Sequence, residues 1–208
     1  MDYWHNLVTQ KSFDILKKLR KDYSFILIGG WAIYFYTKAL KSKDVDIIVD
    51  YEELARLKEK FPLTKNERLR KYEIKKEEID VDIYVPYYSN PGLPAEAIKE
   101  YTTEREGFHL PIPEALLILK QKAFLERKNS IKGEKDKIDI FSLLEGTSFD
   151  FSRYFKILKL HNKTEFAQEL IKLVQDTKEV KEISLNRQSF AKLRKKILVN
   201  IAKAKGFY

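Results

Sequence analysis

Two hydrophobic rhythms follow one another along the chain and predict a mixed α/β half followed by a helical half. From Asp2 to about Arg20 the residues Leu7, Phe13, Ile15, Leu16 and Leu19 recur at helical spacing, which predicts a packing helix with Asp2 as a candidate cap. Phe25–Ile28 is a continuous apolar run and reads as a buried strand. Gly29 and Gly30 follow at once and open a helix from Trp31 to about Leu40 that is apolar on most sides, as expected of a buried helix. A basic turn, Lys38 to Lys43, leads into a second apolar strand that carries Asp44 and Asp46.

Further on, a helix over about Glu52–Lys60 ends at Phe61-Pro62, and strands are expected near Leu69–Lys75 and Ile79–Val85. The Pro- and Gly-rich run Pro86–Pro94 reads as a loop marking the edge of this sheet, with a short strand or hairpin over Glu104–Leu110. Pro113 then starts a helix with a core stripe of Leu116, Leu117, Leu119, Ala123 and Phe124. A second helix begins near Lys135, and helical patterns return at Phe151–Leu160, Thr164–Gln175 and Gln188–Lys205. The expected class is α/β (α+β): a small mixed sheet flanked by helices over residues 1–110, then a helical domain over 111–208.

Composition narrows the chemistry. The 208 residues carry 40 Lys+Arg against 31 Asp+Glu, a formal charge of +9, which suits an acidic partner such as a nucleotide or RNA and equally suits the Lys/Glu-rich surface of a thermophile's protein. No cysteine is present, so disulfides, thiolate metal sites and thiol nucleophiles are excluded. The N-terminus does not read as a signal peptide and no apolar run approaches a membrane span, so the expectation is a cytoplasmic protein with no membrane partner. His5 has no partner in ligand spacing and reads as an ordinary histidine.

Asp44 and Asp46 change the picture most. Acids two positions apart in a strand point to the same side of the sheet, and carboxylates on a Val/Ile strand are costly to bury without a counter-charge, for which a cation is the simplest remedy. Ile79-Asp80-Val81-Asp82-Ile83-Tyr84-Val85 repeats the alternation of acids with branched residues. Glycines between strand and helix let a backbone approach a ligand closely and leave helical N–H groups for an anion, while Ser42 and Lys43 sit in a turn that could face phosphate. Three carboxylates of this kind can hold two divalent ions against the phosphates of a nucleoside triphosphate.

GGWA, KSKDVDIIV and IDVDIYV together resemble the nucleotidyltransferase superfamily with the polymerase-beta-like palm, although this chain has Gly30 where that family often has serine. The resemblance implies a nucleotidyltransferase sheet, phosphate-turn glycines at Gly29 and Gly30, and metal ligands at Asp44 and Asp46. The third acid is Asp80 or Asp82, with Asp82 favoured by its Val-Asp-Ile-Tyr setting. Lys120, Arg127, Asp136 and Asp139 resemble the helical half of abortive-infection toxin-type enzymes and their archaeal relatives. On that match Lys120 would reach the triphosphate, Arg127 would support phosphate or acceptor binding, and Asp136 and Asp139 would orient the lysine or belong to the nucleotide-binding site itself, in a cleft between the halves. A plain interhelical ion-pair cluster is the alternative for these four.

The implied reaction is Mg2+-dependent (or Mn2+-dependent) transfer of a nucleoside monophosphate from a bound nucleoside triphosphate, ATP included, to a hydroxyl on RNA, tRNA, a protein or a small molecule. The rival expectations are a noncatalytic nucleotide- or RNA-binding module and, as a biological role, the toxin of a toxin-antitoxin pair with an antitoxin partner. The basic last helix, with Lys192, Arg194, Lys195, Lys196, Lys203 and Lys205, reads either as a solvated face or as a contact for RNA.

Overall fold

The computed structural model describes residues 2–76 and 79–205, with side chains over 7–75 and 79–204; the side chains of Asp2, His5 and Lys205 lie outside the described residues. The chain divides into two compact units, Met1–Ile112 and Pro113–Tyr208.

The first unit is built on a seven-stranded mixed sheet. Its elements in chain order are α1 (Asp2–Asp22), β1 (Ile26–Ile28), α2 (Gly29–Thr37), β2 (Val45–Ile48), α3 (Tyr51–Lys60), β3 (Thr64–Asn66), β4 (Lys71–Lys76), β5 (Ile79–Tyr84), α4 (Ala95–Ile98), β6 (Thr102–Arg105) and β7 (Phe108–Pro111). The strand order is β3-β4-β5-β2-β1-β7-β6. β2 runs parallel to β5 and antiparallel to β1, while β7 runs parallel to β1. The expected edge at Pro86–Pro94 is therefore corrected: the 102–111 hairpin returns to the same sheet and extends it on the far side of β1.

Alternation gives the sheet two unlike faces. Val45, Ile47, Ile74, Val81 and Ile83 are all buried on one face. α3 lies on that side, with Lys58 stacked 5.3 Å from the ring centre of Tyr72, the neighbour of Ile74 two places back. α1 and α2 are joined by Trp31 Nε1, which donates to Ser12 Oγ at 2.8 Å, and by Phe13 against the Trp31 ring at 5.1 Å. Burying the Trp31 side chain with its one polar atom satisfied removes the desolvation cost an unpaired indole N–H would carry. The opposite face carries Asp46, Asp80, Asp82, Tyr84, Lys71, Glu73 and Lys75, and holds the candidate site.

The second unit is helical: α5 (Pro113–Arg127), α6 (Ile131–Gly146), α7 (Phe151–Leu160), α8 (Glu165–Asp176) and α9 (Arg187–Lys205). Phe141 of α6 meets Phe190 of α9 edge-on at 4.9 Å. Tyr154 of α7 donates to Gln121 Oε1 at 2.6 Å, and Gln121 Nε2 donates to the Phe166 carbonyl at 2.8 Å, so one buried polar chain ties α5, α7 and α8. Burial raises the Tyr154 phenol far above its ordinary value, keeping it a neutral donor. Among the described residues no helix is long and apolar enough to cross a membrane.

Candidate active site

Gly29 and Asp46 meet where β1 turns into α2. Gly29 has φ +69°, in the left-handed region, and a Cβ placed on it would lie 2.0 Å from Asp46 Oδ2. The chain thus needs glycine here twice over, for the backbone angle and for the carboxylate that fills the missing side chain's volume. Asp46 reaches this place because β1 and β2 pair with Ile28 opposite Asp46. Ile28 offers α2 no side-chain cap, and Gly30 is buried in the first helical turn.

From Asp46 a row of acids crosses three strands. Asp46 of β2 is in register with Asp82 of β5, and Asp82 is in register with Glu73 of β4. Paired residues on neighbouring strands project to one face, about 5 Å apart, so the three carboxylates stand side by side. Lys71 reaches diagonally into the row. Its Nζ is 2.5 Å from Asp82 Oδ2 and 3.1 Å from Glu73 Oε1, and only 8% of the residue is exposed. Asn66 Nδ2 donates to Glu73 Oε1 at 2.9 Å.

The electrostatics follow from this crowding. Burial and then the charge of Asp46 push the Asp82 carboxyl up from 3.8 to about 6, against the opposing pull of Lys71. Glu73 goes the other way: burial acts to raise it, but the hydrogen bonds from Asn66 and Lys71 hold it below the ordinary value. The Lys71 ammonium gains more from Asp82 and Glu73 than burial takes away, so its proton is held more tightly than usual.

Asp44 lies at the bend just before β2, one position outside the strand in which it was expected, and is half-buried. Ser42 is buried and Lys43 exposed in the same turn. Asp80 is exposed and opposes Lys75 across the β4–β5 ladder, so of the two acids in that strand Asp82 is the one beside Asp46. Among the described residues no three His, Cys, Asp or Glu side chains are gathered closely enough to hold a metal ion as they stand. The Asp46–Asp82 pair nevertheless fits a divalent cation chemically. It is an all-oxygen donor set in which burial, and then its neighbour's charge, make one carboxyl bind protons unusually tightly, and a hard cation offsets that charge.

The second unit holds the other four candidates. Lys120 on α5 points between Asp136 and Asp139 on α6, at 3.2 and 2.7 Å, with both aspartates 1% exposed. Arg127 Nε and Nη2 donate to the two oxygens of Asp136 at 2.7 and 3.1 Å. Two cations face two carboxylates, a balance that allows α5 and α6 to bury their charges against each other. Asp139 Oδ2 lies 2.7 Å from the Lys120 ammonium, the contact that compensates its buried charge. α6 begins at Ile131, earlier than the helix expected from Lys135, because Ser130 Oγ caps it by accepting from Gly133 N at 3.1 Å.

Lys71 and Glu73 were not singled out in the sequence. Their signal is the Lys-x-Glu alternation in a strand predicted beside the Asp-x-Asp strand, but it becomes legible only once the β4–β5 register puts Glu73 opposite Asp82.

No described protein family and no curated protein matches the sequence. Among solved structures the chain is similar to a candidate nucleotidyltransferase from H. pylori, at 17% identity and a TM-score of 0.53 over 97% of each chain. It also aligns with JHP933 from Helicobacter pylori, at 17% identity and a TM-score of 0.49 over 97% of this chain and 92% of that one. A looser alignment joins it to the Megavirus polyadenylate synthase, at 17% identity and a TM-score of 0.45 over 85% of this chain and 39% of that one. At such identity the first of these speaks to architecture, and with the mixed sheet above it places the chain in the nucleotidyltransferase-like fold.

Proposed function

We propose that the acid row of the first unit is the active site of a nucleotidyltransferase, moving a nucleoside monophosphate from a nucleoside triphosphate to a hydroxyl acceptor with release of pyrophosphate. The observation that carries this reading is the register of Asp46 with Asp82 beside the glycine turn at Gly29. Two carboxylates placed together at a strand-to-helix turn are costly to a protein that only needs a stable sheet, and useful to one that must hold a cation against phosphates.

Asp46 and Asp82 would hold Mg2+ or Mn2+, with Asp44 ahead of β2 as the third ligand. The bound ion supplies charge neutralisation and alignment for in-line displacement at phosphorus. The chain's own groups do the rest. The Gly29-Gly30 backbone admits the triphosphate close to the start of α2, where helical N–H groups favour an anion. Ser42 and Lys43 stand in the turn that leads to Asp44 and would bind phosphate oxygens. Asp82, in register with Asp46, would hold the ion against which the acceptor hydroxyl is activated.

The test is to incubate the full chain with each α-phosphate-labelled nucleoside triphosphate, Mg2+, total tRNA and a protein extract. The expected result is a labelled macromolecule, which names donor and acceptor class together. Asp46→Asn is expected to abolish transfer with a nearly unchanged melting temperature; transfer at the wild-type rate in that variant would remove the assignment. Binding of nucleotide without any need for the ion, and without transfer, would make the chain a noncatalytic binder on the same fold.

A further inference from the structure

The acid row already contains a cation, and it is covalently part of the chain. Asp46, Asp82 and Glu73 stand in register across β2, β5 and β4, and the Lys71 ammonium is bound to two of them, 2.5 Å from Asp82 and 3.1 Å from Glu73. One ammonium is thus shared between two carboxylates of the row. The contacts are also unequal. The shorter contact is to Asp82, the acid in register with Asp46, while the longer contact is to Glu73, which Asn66 holds from its other side.

We propose that Lys71 is a built-in counter-ion that a divalent cation displaces: the ammonium neutralises Asp82 in the cation-free protein and, when Asp46 and Asp82 take a divalent cation, passes from Asp82 to Glu73. This rests on the metal-binding reading of Asp46 and Asp82 given above. The move is short because the same nitrogen already lies within ion-pair distance of both acids, so no charge is left unpaired during it. In the cation-free protein Lys71 lowers the cost of packing Asp82 beside Asp46. Its position therefore sets a threshold: a cation must outcompete a resident ammonium before the site is occupied, which weakens binding and makes occupancy depend on cation concentration. Lys71 acts through Asp82 and is in this sense a positioning residue.

The experiment is a calorimetric titration of the full-length protein at neutral pH with Mn2+ alone, no nucleotide present, on wild type, Lys71→Met, Lys71→Gln and Lys71→Arg. Met keeps the apolar stem without the charge, and Gln keeps a donor without the charge, so folding failure of one leaves the other. Removal of the competing charge is expected to tighten Mn2+ binding by about tenfold or more in both, with Lys71→Arg returning to the wild-type value. A lysine that only braces the sheet would lower the melting temperature and leave Mn2+ affinity within about twofold of wild type, and that result would overturn the proposal. Absence of Mn2+ binding in all four proteins would overturn it together with the metal-binding reading, whereas equal binding in all four removes the displacement alone.

Discussion

Asp46 occupies the space that a side chain on Gly29 would need: an added Cβ would sit 2.0 Å from Asp46 Oδ2 and 2.8 Å from Asp46 Cβ. The glycine turn and the acid strand are thus one device. Neither the left-handed angle at Gly29 nor the position of Asp46 can change without moving the other.

Gly29→Ala is expected to destabilise the protein by about 2 kcal/mol or more, because it adds left-handed strain to a clash with a strand side chain. Chemical denaturation measures the loss. Gly30→Ala, at an ordinary helical position, is expected to cost less, since the close approach to Asp46 belongs to Gly29.

Asp82 sets a pH dependence of stability in the cation-free protein. Its folded-state carboxyl is raised to about 6 from 3.8, so the folded chain binds this proton more tightly than the unfolded one. The stability it contributes is therefore present at low pH and is lost as pH rises through that window, with a slope of up to about 1.4 kcal/mol per pH unit from this group. Denaturation midpoints across the window, in the presence of a chelator, are expected to show a component that Asp82→Asn removes. Asp46→Asn takes away the neighbouring charge and is expected to bring the Asp82 titration, followed by carboxyl-carbon NMR, closer to its ordinary value.

Lys120→Met strands a charge. Asp136 keeps Arg127, but Asp139, 1% exposed, loses the ammonium at 2.7 Å. The expected cost is about 3–5 kcal/mol, much of it restored in the double variant Lys120→Met with Asp139→Leu, since removing both partners of a buried pair leaves no naked charge. Arg127→Ala is expected to cost less, because the Arg127 side chain is 42% exposed and Lys120 still faces Asp136. Thermal and denaturant unfolding of the three variants separates these outcomes.

Ser130→Ala is expected to lower stability by about 1 kcal/mol through loss of the α6 cap. Gly133→Ala is expected to cost more, as its Cβ would meet the Arg127 carbonyl at 2.2 Å. Loss of helix signal at lower denaturant concentration checks both.

The helices were legible because their signals are local. α7 spans Phe151–Leu160, the same residues that the apolar spacing picks out, and α3 starts one residue ahead of the expected Glu52 with Asp50 as its cap. β3, three residues long with no buried side chain, has no period to read. The 102–111 hairpin was expected as a hairpin, but nothing local announces that β7 will pair in parallel with β1. Asp46 was conspicuous because an acid among branched apolar residues breaks the pattern of its own strand. Glu73 was silent because β4 reads Lys-Tyr-Glu-Ile-Lys-Lys, in which one more charge is ordinary.

By itself the sequence determined the mixed α/β half and the helical half, the glycine turn, and the presence of acids at Asp44, Asp46, Asp80 and Asp82, since backbone preference and side-chain alternation act over a few residues. Tertiary structure decided which acids become neighbours. Strand register aligns residues tens of positions apart, and so it alone set Asp46 beside Asp82, set Glu73 beyond them, and carried the Lys71 ammonium into the row. Charges interact through distance in space, and that distance is set only when the sheet closes.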